Sequence, residues 1–254
     1  MPGFDILYED NACLVVAKPP GLLTQAPLGI DSLEFRIKRF LKERGNKPGG
    51  VYLGVPHRLD RPVSGVIVFA KNVRAARRIS EQFEGRLVEK RYWALVGGEV
   101  SPDEGTWTDQ LKKIEGEPRS VIVDHTDPAG KLAILHYRVL QFVARDSIAG
   151  PATQSPATLL EIDLETGRTH QIRVQAASRG HPLLGDELYG SRLPFGPWNP
   201  DERQRLIALH ARSLRFRLPR AEEYITCVAP LPDLWRQAGV EEDKFQEPKN
   251  QRTK

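Results

Sequence analysis

The sequence predicts an α+β fold, and three observations lead there. Strand-like stretches come in runs broken by an occasional helix, not in a regular strand–helix alternation. Two stretches carry apolar residues at helical spacing between a capping residue and a glycine. The chain has 254 residues, 40% of them hydrophobic and 28% charged, which suits one large globular domain. That domain is expected over 1–240, and the polar stretch 241–254 is expected to be a disordered tail.

In chain order, 6–8 and 14–17 read as a hairpin turned by Glu9, Asp10 and Asn11, and Pro19-Pro20-Gly21 stops its second strand. A helix follows, capped by Asp31 or Ser32, with Leu33, Ile37, Phe40 and Leu41 as its stripe and Gly45 at its end. Its other face carries Arg36, Lys38, Arg39, Lys42 and Arg44. The run VIVFA at 66–70 suits a buried strand. Asn72 caps a second helix that turns Ala75, Ala76, Ile79 and Phe83 inward and closes at Gly85, with Arg74, Arg77 and Arg78 outside. Residues 92–96 are strand-like, and 132–143 and 158–164 read as two long strands joined by a loop of small residues at 146–156. A helix is expected from about Thr169 to Gly180, then a Pro-rich polar loop at 191–205, late strands at 208–217 and 225–229, and a short helix at 232–238.

Composition removes several classes of function. No apolar run approaches the roughly 18 residues a membrane span needs, and the start MPGFDILYEDN has neither a basic nor a long apolar region of a secretory signal. Two cysteines, Cys13 and Cys227, far apart in sequence, offer neither a disulfide framework nor paired zinc-ligand spacing, so a reducing, cytoplasmic setting is expected. There is no GxxxxGK[ST], no GxGxxG opening a helix, no HExxH and no GxSxG, and the six histidines are scattered. Lys and Arg number 37 against 33 Asp and Glu, and the resulting charge of +4 favours polyanionic partners.

Two segments concentrate chemistry. In His57-Arg58-Leu59-Asp60-Arg61, a carboxylate sits between guanidiniums that favour its ionised form. Such an aspartate serves as a nucleophile, as a stabiliser of a developing cation, or simply as a salt-bridged turn residue. In 165–173, ETGRTHQIR, Gly167 suits a tight turn, Thr166 and Thr169 suit caps, and Arg168, His170, Gln171 and Arg173 crowd one strand-to-helix junction. Helix starts of this kind accept phosphate; a capped helix with a solvated basic start fits the pattern equally. Lys90 and Tyr92 share one face of a strand by alternation.

Taken together, HRLDRPVSGVIVFAKN, KRYWALVGG, TGRTHQIRVQAASRGHPLLGDELYG and ALHARSLRF, with the opening YEDNACLVVAKPPGLL, resemble the RluA family of pseudouridine synthases in order and rough spacing. The resemblance runs from about Ile6 to about Leu234. It implies the catalytic domain of that family, a mixed, mostly antiparallel sheet with flanking helices and an RNA-binding cleft. It places the catalytic aspartate on Asp60, an active-site tyrosine on Tyr92, the arginine paired with the aspartate on Arg168, and the arginine that helps displace the target nucleotide on Arg58. His57, Arg61, His170, Gln171 and Arg173 are the further residues expected to bind substrate. No metal or organic cofactor is expected.

The implied partner is structured RNA, tRNA or rRNA, with isomerisation of specific uridines as the activity, a monomer as the working form, and no S4-type RNA-binding domain ahead of the first motif. A non-catalytic RNA-binding protein that keeps the fold is the alternative. The chain departs from the family pattern at Val63 and the preceding Pro62, at Gln175, and at Leu135 ahead of Tyr137, none of which is a residue of the implied chemistry.

Overall fold

Asp10 turns the first hairpin: its Oδ1 accepts from the backbone N–H groups of Ala12 at 2.6 Å and Cys13 at 2.7 Å. The strands it joins are β1 (Asp5–Glu9) and β2 (Cys13–Lys18), antiparallel, with an irregularity between Ile6 and Tyr8. The structure is a computed structural model that describes residues 3–46, 48–143, 156–245 and 251–253. The expected loop at 146–156 lies outside the described residues except for Pro156, as do 246–250 of the expected tail.

The chain forms two compact units. One takes in Met1–Lys90, Ala211–Pro230 and Gln246–Lys254; the other takes in Arg91–His210 and Leu231–Phe245. In the first unit β2 pairs antiparallel with β3 (Ser64–Ala70) over Cys13↔Ala70 to Lys18↔Gly65. All seven residues of β3 are buried, which explains why VIVFA shows no alternation. Helix α1 (Leu33–Arg44) is capped by Ser32, whose hydroxyl accepts from Phe35 N at 3.2 Å, and it buries Leu33, Ile37 and Leu41. Helix α2 (Val73–Glu84) is capped by Asn72, whose Oδ1 accepts from Ala75 N at 2.9 Å, and it buries Ala75 and Ile79. Residues 211–217 belong to the last part of β9 (Leu209–Arg217), which pairs with β10 (Tyr224–Val228).

In the second unit the strand order is β4–β8–β7–β5–β6, antiparallel in every pairing described. These are β4 (Glu89–Gly97), β5 (Glu104–Lys113), β6 (Ser120–Val123), β7 (Lys131–Val143) and β8 (Ala157–Leu164). Helix α3 (Gln171–Ser178) packs against β5 and β6. Helix α4 (Asp233–Gln237) drives Trp235 into a core with Trp93, Leu95, Leu159, Leu184 and Phe195.

Strands β5 and β6 are additions to the elements the sequence predicts. On β5, Trp107 and Leu111 face inward as alternation requires, but Asp109 stands between them and hides the pattern. Its carboxylate is satisfied by Gln175 Nε2 at 2.6 Å and Arg179 Nη1 at 2.9 Å. Within the expected tail, Glu242–Lys244 form a 3₁₀ turn, Phe245 packs edge-on to Trp93 at 5.6 Å, and β11 (Gln251–Thr253) pairs with β10. Phe245 supplies an apolar anchor that the polar average of the segment conceals.

Candidate active site

The segment 57–61 is loop that enters a turn at Arg61 and Pro62, and three of its residues are fastened to the first unit. The His57 ring stacks on Phe83 at 4.4 Å and 24°, and its Nε2 accepts from Val68 N at 3.1 Å. Leu59 is buried, and its backbone exchanges two hydrogen bonds with the hydroxyl of buried Thr24, at 2.8 and 3.2 Å. The carbonyl of Arg61 accepts from Gly21 N at 2.9 Å and from Lys18 Nζ at 3.1 Å. Between these anchors Arg58 is exposed and Asp60 is partly exposed, as His57 and Arg61 are. A turn closed by Val63 N to Asp60 O at 3.1 Å then leads into β3.

Lys18 is a component that sequence reasoning missed. It ends β2, its side chain is 1% exposed, and its ammonium donates to the carbonyls of Pro19, Leu22 and Arg61 at 3.0, 2.7 and 3.1 Å. Burial pulls its pKa down to about 7; the Asp60 carboxylate opposes that shift and Arg61 adds to it. The available signal was a lysine closing a continuous apolar strand ahead of Pro19-Pro20. For His57, burial and then the charge of Lys90 lower the pKa to about 3, so the ring is neutral and free to accept from Val68.

In the second unit the 165–173 turn is built around Gln171. Its Oε1 accepts from Arg168 N at 3.0 Å and from Thr166 Oγ1 at 2.8 Å, and its Nε2 donates to Ile134 O at 3.0 Å. Thr166 Oγ1 in turn accepts from Ile134 N at 2.8 Å. His170 takes a left-handed conformation, φ 55° and ψ 24°, to start α3. Arg173 Nη1 donates to its Nε2 at 3.1 Å, so the ring proton sits on Nδ1, 3.0 Å from Tyr189 Oη. Tyr189 Oη also accepts from Ser120 N at 2.9 Å and donates to Ser120 O at 3.2 Å. Arg173 is locked to Asp186 by two buried hydrogen bonds of 2.6 and 2.7 Å. Arg168 lies at the outer edge of this turn, with Nε donating to Leu132 O at 3.0 Å.

Tyr92 stands on β4 opposite Ile162 of β8, which stands opposite Tyr137 of β7 and then Gly105 of β5. Gly105 leaves room for the Tyr137 ring, which a Cβ there would meet at 2.8 Å. On the other face Arg91 pairs with Asp163 at 2.9 Å, and Arg138 with Glu161 at 2.7 Å. Of the nine residues singled out by sequence, the first unit holds His57, Arg58, Asp60 and Arg61, and the second holds Tyr92, Arg168, His170, Gln171 and Arg173. His170, Gln171 and Arg173 are engaged with protein groups drawn from three other stretches of chain, at 134, 166 and 186–189. Among the described residues no helix is long and apolar enough to cross a membrane.

Comparison with known proteins converges on one family. The model of the RNA pseudouridylate synthase family matches residues 12–178, which include both segments and Tyr92. An RNA pseudouridine synthase of Bacillus subtilis (strain 168) is 34% identical over 90% of this chain and 68% of its own length. The ribosomal large subunit pseudouridine synthase D of Xylella fastidiosa (strain Temecula1) is 34% identical over 90% of this chain and 66% of its own length. The solved structure of human RNA pseudouridylate synthase domain containing 4 superposes with a TM-score of 0.70 at 25% identity, covering 92% of this chain and 91% of that one. The chain spans about two thirds of the length of its bacterial relatives. It belongs to the RNA pseudouridylate synthase family, in the RluA branch, and is an RNA pseudouridine synthase, an isomerase.

Proposed function

We propose that this enzyme converts uridines of ribosomal RNA to pseudouridine with Asp60 as its catalytic residue. The observation that carries the reading is the family match over 12–178, which takes in Asp60, Tyr92 and Arg168, together with the anchoring of 57, 59 and 61 around a partly exposed Asp60. The names of bacterial relatives that act on the large ribosomal subunit support rRNA as the substrate class. The enzyme works as a cytoplasmic monomer without metal or organic cofactor in this reading.

The reaction breaks the bond from uracil N1 to ribose C1′ and makes one from C5 to the same C1′. The C5 proton is lost to solvent and N1 gains one, so the product is an isomer. Asp60 acts on the ribose, either by bonding to C1′ as a nucleophile or by taking the C2′ proton and returning it. Arg168 supplies the counter-charge for that carboxylate, and Tyr92 stacks on the uracil ring. A stacked uridine must first leave the helix, at a cost of about a few kcal/mol, and exposed Arg58 takes its place. Arg61 meets the backbone phosphates. His57, His170, Gln171 and Arg173 act by positioning, since their polar atoms already serve the protein.

The test is tritium release from RNA labelled at uridine C5, prepared from cells lacking the enzyme. Wild-type protein releases tritium, and Asp60→Asn binds the same RNA and releases none. Turnover by Asp60→Asn near the wild-type rate overturns the assignment of Asp60. Release from tRNA but not rRNA overturns the substrate class.

A further inference from the structure

The loop at 191–205 has no part in the chemistry above, yet it holds the most exposed aromatic side chain described. Trp198 is 75% exposed, while Trp93, Trp107 and Trp235 are buried. Tryptophan, apolar over its ring and polar at its N–H, is enriched at contact surfaces.

Its loop is firmly built. Phe195 is buried against Trp235 at 5.5 Å, and Gly185 N donates to Leu193 O at 2.8 Å. Gly196 takes φ +83° with the Leu234 side chain 3.0 Å from where a Cβ would lie, so the chain turns close over the core there. Asn199 Oδ1 accepts from Asp201 N at 2.9 Å, and Arg205 Nε donates to Asn199 O at 3.0 Å. The Arg205 guanidinium is ion-paired with Glu187 and lies 6.0 Å from the Trp198 ring centre. Glu187 opens the same 3₁₀ turn whose Tyr189 holds His170. One chain of contacts therefore joins the indole to the 165–173 turn.

We infer that Trp198 is a stacking platform for an unpaired base of the RNA substrate, held by the Arg205 guanidinium. The inference rests on the proposed function for its ligand class. A fixed indole binds any base through its ring face, without base-specific hydrogen bonds. Exposed Arg192 and Arg203 on the same loop stand ready for the phosphates either side of that base, in a chain of net charge +4. The platform gives the enzyme a hold on a single-stranded flank, separate from the uridine that reacts.

Tryptophan fluorescence tests it, because only one indole among the described residues is open to a ligand. Wild type is titrated with a single-stranded RNA oligonucleotide and with a fully paired duplex of equal length, and the affinities of wild type, Trp198→Ala and Trp198→Phe are read from the fluorescence anisotropy of the same RNAs carrying an end label. The single strand quenches wild-type emission and the duplex does not. Trp198→Ala binds the single strand roughly tenfold more weakly, Trp198→Phe recovers part of the loss, and all three melt at the same temperature. In turnover, Trp198→Ala raises KM and leaves kcat unchanged.

Equal quenching by both RNAs, or binding by Trp198→Ala within twofold of wild type, overturns the inference. In the second case the indole is left to a protein partner. Asp60→Asn retains the quench, so a failure of the catalytic reading shows as turnover that persists in Asp60→Asn, or is absent from wild type, with stacking intact.

Discussion

Arg173 and Asp186 form a two-pronged ion pair, Nε to Oδ2 at 2.6 Å and Nη2 to Oδ1 at 2.7 Å, with side chains only 6% and 1% exposed. Arg173 also donates to His170 Nε2 at 3.1 Å, so the pair fixes the left-handed residue that starts α3. The chain's basic motif is thus anchored by an acidic residue thirteen positions later.

Removing one partner leaves the other charged, buried and alone, which costs about 3–5 kcal/mol. Asp186→Asn should therefore lower the melting temperature by about 10 °C and reduce activity through the displaced turn. The double replacement Arg173→Met with Asp186→Leu should regain much of the stability and not the activity. Thermal melts of the single and double variants check this. A single variant that melts like wild type removes the pair from the account.

His57 should make stability fall in mild acid. Its folded pKa of about 3 lies below the value near 6.5 of an unfolded histidine, so the unfolded chain takes up the proton first. The contribution is complete above pH 6.5 and is lost as pH falls toward 3. The slope reaches up to about 1.4 kcal/mol per pH unit. Glu9, held down to about 2 mainly by Arg44, adds its own loss only below its ordinary value of 4.5. The range from 6.5 to 4.5 is thus where His57 is read. His57→Phe should keep the stack on Phe83, lose the Val68 bond, and unfold in urea with a flatter dependence there. Equal slopes for the two proteins contradict the assignment.

Lys18 should act in the opposite range. Its folded pKa of about 7 lies below the 10.5 of an unfolded lysine, so between those values the native state holds fewer protons. Stability then rises with pH across that window. Lys18→Met should abolish the rise between pH 7 and 9. It should also lower stability by about 2 kcal/mol, since three carbonyls lose their common donor. Because one of them belongs to Arg61, kcat should fall more than KM changes. Denaturant unfolding and turnover of the same preparation check both halves.

Gly65 admits no side chain. Its φ is +122°, and a Cβ would lie 2.2 Å from the carbonyl oxygen and 2.5 Å from the nitrogen of Ala211. Backbone on both sides cannot give way, so Gly65→Ala should cost at least about 3 kcal/mol and cut soluble yield. A variant that expresses and melts normally contradicts that closeness.

Much of this was legible in the sequence because it is local. Ser32 and Asn72 cap their helices through their own side chains, and the apolar run at 66–70 is the buried strand it reads as. The segments carrying Asp60 and Arg168 stood out because charged groups gather there within a few residues. What was not local stayed hidden. Asp109 interrupts the alternation of β5 because its partners, Gln175 and Arg179, come from a helix far along the chain.

The sequence by itself determined the fold class, the family and the elements other than β5, β6 and β11, all of which rest on spacing and residue type. Tertiary structure decided which polar groups of each motif serve the protein. In 57–61 nothing in the sequence ranks one residue over the next until Phe83, Thr24 and Lys18 take hold of 57, 59 and 61. In 165–173 four polar side chains look alike in sequence. Three of them meet Tyr189, Asp186, Thr166 and Ile134, because a buried polar group must find its partner wherever the chain supplies one.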